Sequence, residues 1–246
     1  MSAFEVIYPC IWKDSPSIKA VFSTRSLHWN SDREIQGLNL SVSTDDDRAV
    51  VMENRRLFFE FLGLKDSNVA RGKQIHSNIV HTVTEGGIHK DGDGFVTNKK
   101  DVAVSVLVAD CAAILLSDEE AGVIGALHAG WRGTVSRIVD QGISAMTTLG
   151  ANPNHIKAYI SPCISEACFE VGEEVAEQFP PKYVTRHSPK PHVNIRAYLE
   201  EQLIDNGIDP SHIEHGFECT YSDQRYHSYR RDGSKSGRMM GIIWIS

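Results

Sequence analysis

The heptapeptide VAVSVLV at residues 102–108 is β-branched and apolar on both faces, the pattern of a strand covered on both sides by other layers. It runs into Ala109, Asp110 and Cys111. GVIGAL at residues 122–127 repeats the pattern and runs into His128. Two buried strands are therefore expected to carry Cys111 and His128 at their C-terminal ends, where α/β proteins place reactive groups.

Outward from His128, AGWRGT (129–134) precedes Val135, Ile138, Val139, Ile143, Met146 and Leu149 at helical spacing, closed by Gly150 and Pro153. Thr134 is the expected N-cap. Gly130 and Gly133 let backbone pass close to a ligand, and free amides at a helix start favour an anion. On the N-terminal side, residues 19–23 and 79–83 read as strands. Asp45, Asp46 and Asp47 supply acidic caps for a helix that buries Val50, Val51, Asn54, Leu57, Phe58, Phe61 and Leu62 and stops at Gly63. On the C-terminal side the pattern predicts a strand at 156–160 and a short helix at 172–179. A helix capped by Asn194, with Leu199 and Leu203 inward, ends at Gly207, and a last strand covers 241–245. Strands and helices mix without strict alternation. The expected class is α/β, a single layered domain over residues 1–246 with mixed β-sheets flanked by helices.

A length of 246 residues with 41% hydrophobic and 23% charged content suits one substantial core, and no linker divides it. The first residues show no basic, apolar and small-residue succession of a leader, and no apolar run reaches spanning length, so a cytoplasmic protein without membrane association is expected. Five scattered cysteines suit reduced thiols, leaving any special one as ligand or nucleophile. A net charge of −7 opposes nucleic-acid binding. Local pairs such as Arg55-Arg56 and Arg230-Arg231 can still grip a small anion. The expected partner is a small-molecule substrate, and the expected state a monomer or weak homodimer.

His76, Cys111 and His128 form a thiolate-plus-imidazole trio from distant segments, without a CxxC pair or an HExxH helix. Three such ligands with a fourth place open is the catalytic zinc arrangement, in which bound water is acidified to about pKa 7. The same donors also suit copper. Asp110 is a candidate to orient a ligand or hold a proton. The trio admits two other readings: a cysteine hydrolase with Cys111 as nucleophile and His128 or His76 as base, or a binding protein whose zinc is structural.

FSTR (22–25), LNL (38–40), ENR (53–55), QIH (74–76), DGDGFVT (91–97), ADC (109–111) and HAGWRGT (128–134) are followed in order by PCIS (162–165) with FEVG (169–172), CTYSD (219–223), SYRRD (228–232) and GRM (237–239). Together they resemble the multicopper polyphenol oxidase (laccase-domain) family, whose members are also called purine nucleoside phosphorylases or YfiH-type peptidoglycan editing factors. The resemblance implies one metal ion, zinc, on His76, Cys111 and His128. It also implies a layered fold of mixed sheets and phosphorolysis of inosine, adenosine or S-methyl-5′-thioadenosine to free base and ribose 1-phosphate, with adenosine deamination as a side activity. The editing-factor name points instead to a cysteine-type hydrolase of peptidoglycan precursors. The chain departs from the family at Ser26-Leu27-His28-Trp29, where a Gly-Gly-Val-Ser-like loop is usual, and at Ala112-Ala113, where a proline often stands.

Copper polyphenol oxidation in the classical sense needs a trinuclear cluster fed by His-x-His pairs, and none of the 11 histidines forms one. For phosphate, a guanidinium fork singles out Arg25 and Arg55, with Lys73, Arg132 and Arg230 as further candidates. Gln74 and Asn39 are candidates for base or ribose.

Overall fold

The protein is described by a computed structural model covering residues 4–186 and 189–246. Two six-stranded sheets carry the fold. The first runs Val6–Ile7, Ile18–Ser23, Met239–Ile245, Ala103–Val108, Val69–Arg71, Gly87–Ile88. The second runs Ile213–His215, Lys157–Ile160, Ala112–Asp118, Val123–Ala129, Gly94–Thr97, Val80–Thr82. Both are mixed: Ala103–Val108 lies antiparallel to Met239–Ile245 and parallel to Val69–Arg71.

Side-chain alternation along the strands builds the layers. Val104, Val106 and Val108 of the first sheet meet Ala113, Leu115, Ile124 and Ala126 of the second in one buried cluster. The opposite face of the second sheet, through Ala112, Ile114, Leu116 and Leu127, packs on Val139, Ile143 and Met146 of helix Ile138–Thr148 and on Leu199 and Leu203 of helix Ile195–Asp205. The opposite face of the first sheet, through Val21, Ala103 and Ile242, packs on Phe58 and Phe59 of helix Arg48–Phe61. The order is helix, sheet, sheet, helix. Each central strand has a covered layer on both sides, which is why 102–108 is apolar on both faces except at Ser105, whose buried hydroxyl donates to the Ala70 carbonyl.

The expected caps form. The Asp47 carboxylate accepts from the Ala49 amide, and Gly63 turns left-handed at φ +72°. Asn194 accepts from Ala197, and Gly207 lies at φ +89°. The expected helix at 172–179 shrinks to Glu173–Ala176. Thr134 is not an N-cap. A short helix, Trp131–Val135, starts at Gly130, and the Thr134 hydroxyl donates back to the Gly130 carbonyl at 2.9 Å, the i−4 bond open to a helical threonine. Arg137, at φ +59°, then breaks the helix before Ile138.

Two strand ends also move. His128 is the penultimate residue of Val123–Ala129 instead of lying beyond it. Cys111 is followed at once by the strand Ala112–Asp118, so residues 109–111 are the crossover between the sheets. Asp110 makes that sharp turn at φ +82°.

Candidate metal centre

Strands Ala112–Asp118 and Val123–Ala129 are antiparallel with Ala112 opposite Ala129 and Ala113 opposite His128. This register places Cys111 and Gly130 at the same end of the pair. A Cβ on Gly130 would sit 3.0 Å from Cys111 Sγ and 3.1 Å from His76 Cδ2, so glycine leaves room for the sulfur and the ring. His76 reaches the same point from the loop after Val69–Arg71, in a left-handed conformation at φ +59°. The ligand atoms of His76, Cys111 and His128 all lie within 4.8 Å of one another. The two imidazoles meet edge to face, 4.9 Å between centroids.

A fourth residue organises the trio. Asp93, fully buried, precedes strand Gly94–Thr97, which pairs with Val123–Ala129. Its Oδ1 accepts from His128 Nδ1 at 2.7 Å and from the His76 amide at 3.0 Å. Its Oδ2 accepts from the Ile75 amide (3.2 Å), the Ser77 amide (2.6 Å) and the Ser77 hydroxyl (2.7 Å). With Nδ1 occupied, Nε2 is the His128 nitrogen left for a ligand.

The charges follow from these contacts. Burial opposes ionisation of Asp93, but hydrogen bonds from His128 and Ser77 outweigh it and bring the carboxyl to about 2. Burial likewise works against the Cys111 thiolate, yet the His128 charge and hydrogen bonds from His128 and His76 bring the thiol to about 6. Burial would hold His128 neutral, but the Cys111 charge and the Asp93 bond raise it to about 9. Both shifts run in the direction that favours a thiolate–imidazolium pair when no metal is bound.

Two imidazoles and a thiolate fit a borderline-soft divalent ion. The donor spread allows closure to metal–ligand lengths of about 2.0–2.3 Å, and the Asp93–His128 bond is the carboxylate support that metal-bound histidines commonly have. His76 is exposed and Cys111 partly so, which leaves the outward side of the trio facing a cleft of about 880 Å³, ample for a small ligand.

Of the residues singled out in the sequence, Arg55, Lys73, Gln74, Asp110 and Arg230 line this cleft with the trio. Arg55 donates through Nε to the Leu40 carbonyl at 2.7 Å, and burial lowers its guanidinium to about 10. Gln74 is zipped to the backbone of Leu107 through both amide atoms. Asp110 accepts from Thr220 Oγ1 and from the Arg230 amide, each at 2.7 Å, so its carboxylate braces the cleft wall. Arg25, Asn39 and Arg132 are not in the lining. Arg25 donates to the Gln36 carbonyl and stands 4.0 Å from Asp232. Asn39, fully buried, organises its own loop through Ser41, Thr44, Asp46 and the Arg238 amide. Arg132 lies 4.3 Å over the Trp131 ring.

Sequence reasoning gave no role to Asp93, Arg71, Arg238, Phe169 or Tyr229. The last four line the cleft. Arg238 lies 5.4 Å over Tyr229, and Arg230 lies 5.6 Å over Phe169. Asp93 and Arg238 fall in the DGDGFVT and GRM stretches, so those stretches were the available signal. The lining cations Arg55, Arg71, Lys73, Arg230 and Arg238 outnumber the acids Asp45 and Asp110, which makes the cleft locally positive on a chain of net charge −7.

Comparison with known proteins agrees in extent. A purine nucleoside phosphorylase of Corynebacterium glutamicum is 35% identical over 236 residues, 93% of this chain and 94% of its own. An adenosine deaminase from an unknown prokaryotic organism is 31% identical over 242 residues, 91% of this chain and 92% of its own. The crystal structure of YlmD from Geobacillus stearothermophilus superposes with a TM-score of 0.89 at 26% identity, covering 100% of this chain and 99% of that one. The multi-copper polyphenol oxidoreductase laccase pattern matches residues 19–246, and the chain belongs to that family.

Proposed function

We propose that the protein is a zinc-dependent purine nucleoside phosphorylase of the cytoplasm, acting on inosine, adenosine or S-methyl-5′-thioadenosine, with adenosine deamination as a second activity. The observation that carries the reading is the convergence, in one cleft, of a two-imidazole, one-thiolate donor set with basic side chains and aromatic faces. The relatives named as purine nucleoside phosphorylase and adenosine deaminase support the same chemistry.

In this reading Arg55, Lys73 and Arg230 hold phosphate against the ribose. A phosphate oxygen bonds to C1′ as the C1′–N9 bond breaks, the electron pair leaves with the purine, and the proton given up by hydrogen phosphate passes to a purine ring nitrogen. Phe169 and Tyr229 offer faces on which a purine stacks. His76, Cys111 and His128 hold the ion, which when bound supplies Lewis acidity at the floor of the cleft. Asp110, bonded to Thr220 and the Arg230 amide, keeps the Arg230 segment against the site.

The test is turnover of inosine by zinc-loaded protein with and without phosphate. Ribose 1-phosphate formed only with phosphate supports the reading, and no turnover of any of the three nucleosides overturns it. Arg55→Ala is expected to raise the apparent KM for phosphate about tenfold, the scale of one hydrogen bond to a charged group, with kcat little changed. An effect confined to the nucleoside would move Arg55 out of the phosphate site.

The lowered pKa of Cys111 beside His128 favours one other reading, a cysteine hydrolase acting on a peptidoglycan precursor. Iodoacetamide separates the two. Metal-free protein that cleaves a muropeptide and stops when Cys111 is alkylated is a cysteine hydrolase. Slow alkylation under bound zinc, with nucleoside turnover intact, belongs to the phosphorylase.

A further inference from the structure

We infer that Asp93 is the positioning residue for both histidines of the trio at once, so that the affinity of the site for metal runs through a carboxylate that does not itself ligate. The inference rests on the metal reading proposed above. Asp93 is fully buried, and its two oxygens receive five donors. Three are the consecutive amides of residues 75–77, which curl around the carboxylate. That curl requires His76 to adopt φ +59°, a conformation unfavourable for a side chain with a Cβ. Charge-assisted bonds to a dry carboxylate offset the cost. The fifth donor is His128 Nδ1, and this bond fixes the ring's rotation and leaves Nε2 for the ion. The main chains are tied as well, since the His128 amide donates to the Asp93 carbonyl at 2.7 Å. One side chain therefore sets the loop of one ligand and the ring of another, although residues 76 and 128 come from different parts of the chain.

Asp93→Asn keeps the shape and removes one acceptor oxygen. An amide has a single acceptor oxygen and presents N–H on its other side. If the oxygen keeps the Ile75 and Ser77 donors, the amide N–H faces His128 Nδ1 and pushes that ring's proton to Nε2, blocking the ligand atom. If it turns the other way, the oxygen keeps His128 and the His76 amide, and the Ile75 and Ser77 donors lose their acceptor.

Two measurements test this. In metal-free protein, the amides of Ile75, His76 and Ser77 are expected to exchange with solvent at least tenfold more slowly than in Asp93→Asn. By chelator competition, Asp93→Asn is expected to weaken Zn²⁺ binding by about ten- to hundredfold and to reduce the visible absorption of the Co²⁺-loaded site. Unprotected amides in the wild type overturn the inference, and so does Asp93→Asn with wild-type affinity and an unchanged Co²⁺ spectrum. Should wild-type protein bind neither ion, the metal reading fails, while the exchange measurement still decides the role of Asp93. Should Asp93→Asn fail to fold, Ser77→Ala removes one bond to Oδ2. It is expected to weaken Zn²⁺ binding about threefold, and unchanged affinity there counts against the inference.

Discussion

His128→Ala is expected to lose its metal and its turnover together, retaining less than about 0.1 equivalent of zinc per chain, because two remaining ligands do not hold the ion. The ring is 3% exposed and spans Asp93 on one nitrogen and the trio on the other. Without it, His76 and Cys111 remain, and His76 stands on an exposed loop. The substitution also leaves the Asp93 carboxylate buried without one of its closest donors. Breaking a buried pair from one side costs about 3–5 kcal/mol, which in a chain of this size lowers Tm on the order of 10 °C. Ligand loss and unfolding are therefore mixed in this variant, and Cys111→Ser separates them. It leaves the Asp93–His128 bond intact and replaces a thiolate by a hydroxyl that ionises poorly. Elemental analysis of Cys111→Ser should find the metal gone, while the melting temperature of the metal-free protein falls less than in His128→Ala, because the Asp93–His128 bond survives. Full zinc occupancy in His128→Ala would remove His128 from the ligand set.

The layered fold was legible wherever both faces of a segment were apolar. VAVSVLV announces a covered layer on each side, and that is what Val104 and Val106 on one face and Ala103 on the other report. Strand Ala112–Asp118 was missed although it is as buried as its neighbours. The sheet change before it takes only three residues, and Asp110 makes it at φ +82° without a glycine to mark the turn. The trio was legible because imidazole and thiolate carry their chemistry in their identity. The supporting groups do not. Asp93 meets His128 across 35 positions, and nothing local distinguishes it from Asp91 in the same DGDG run. Arginines were harder still. A guanidinium serves phosphate and backbone carbonyls with the same fork, so Arg25, bonded to the Gln36 carbonyl, and Arg238, at the cleft over Tyr229, differ only in what the fold sets in front of them.

Zinc affinity of the metal-free protein is expected to climb about thirtyfold between pH 7 and pH 8.5, at close to tenfold per unit, because one proton leaves the Cys111–His128 pair on binding. The sign follows from two opposite shifts. Cys111 is lowered to about 6, so its contribution to stability is present above its unfolded pKa and is lost as pH falls through about 6. His128 is raised to about 9, so its contribution is present below its unfolded pKa and is lost as pH rises through about 9. Between those limits the thiolate is already formed, and the imidazolium must give up its Nε2 proton before that nitrogen can bind an ion. Below about 6 the thiol adds a second proton to the exchange, and above about 9 the dependence levels off. Calorimetry at pH 7.5 in two buffers of different ionisation enthalpy counts the proton directly. A flat affinity over this range, with no proton released, would mean that His128 is neutral beside Cys111, and the thiolate that both readings of the site depend on would lose its counter-charge.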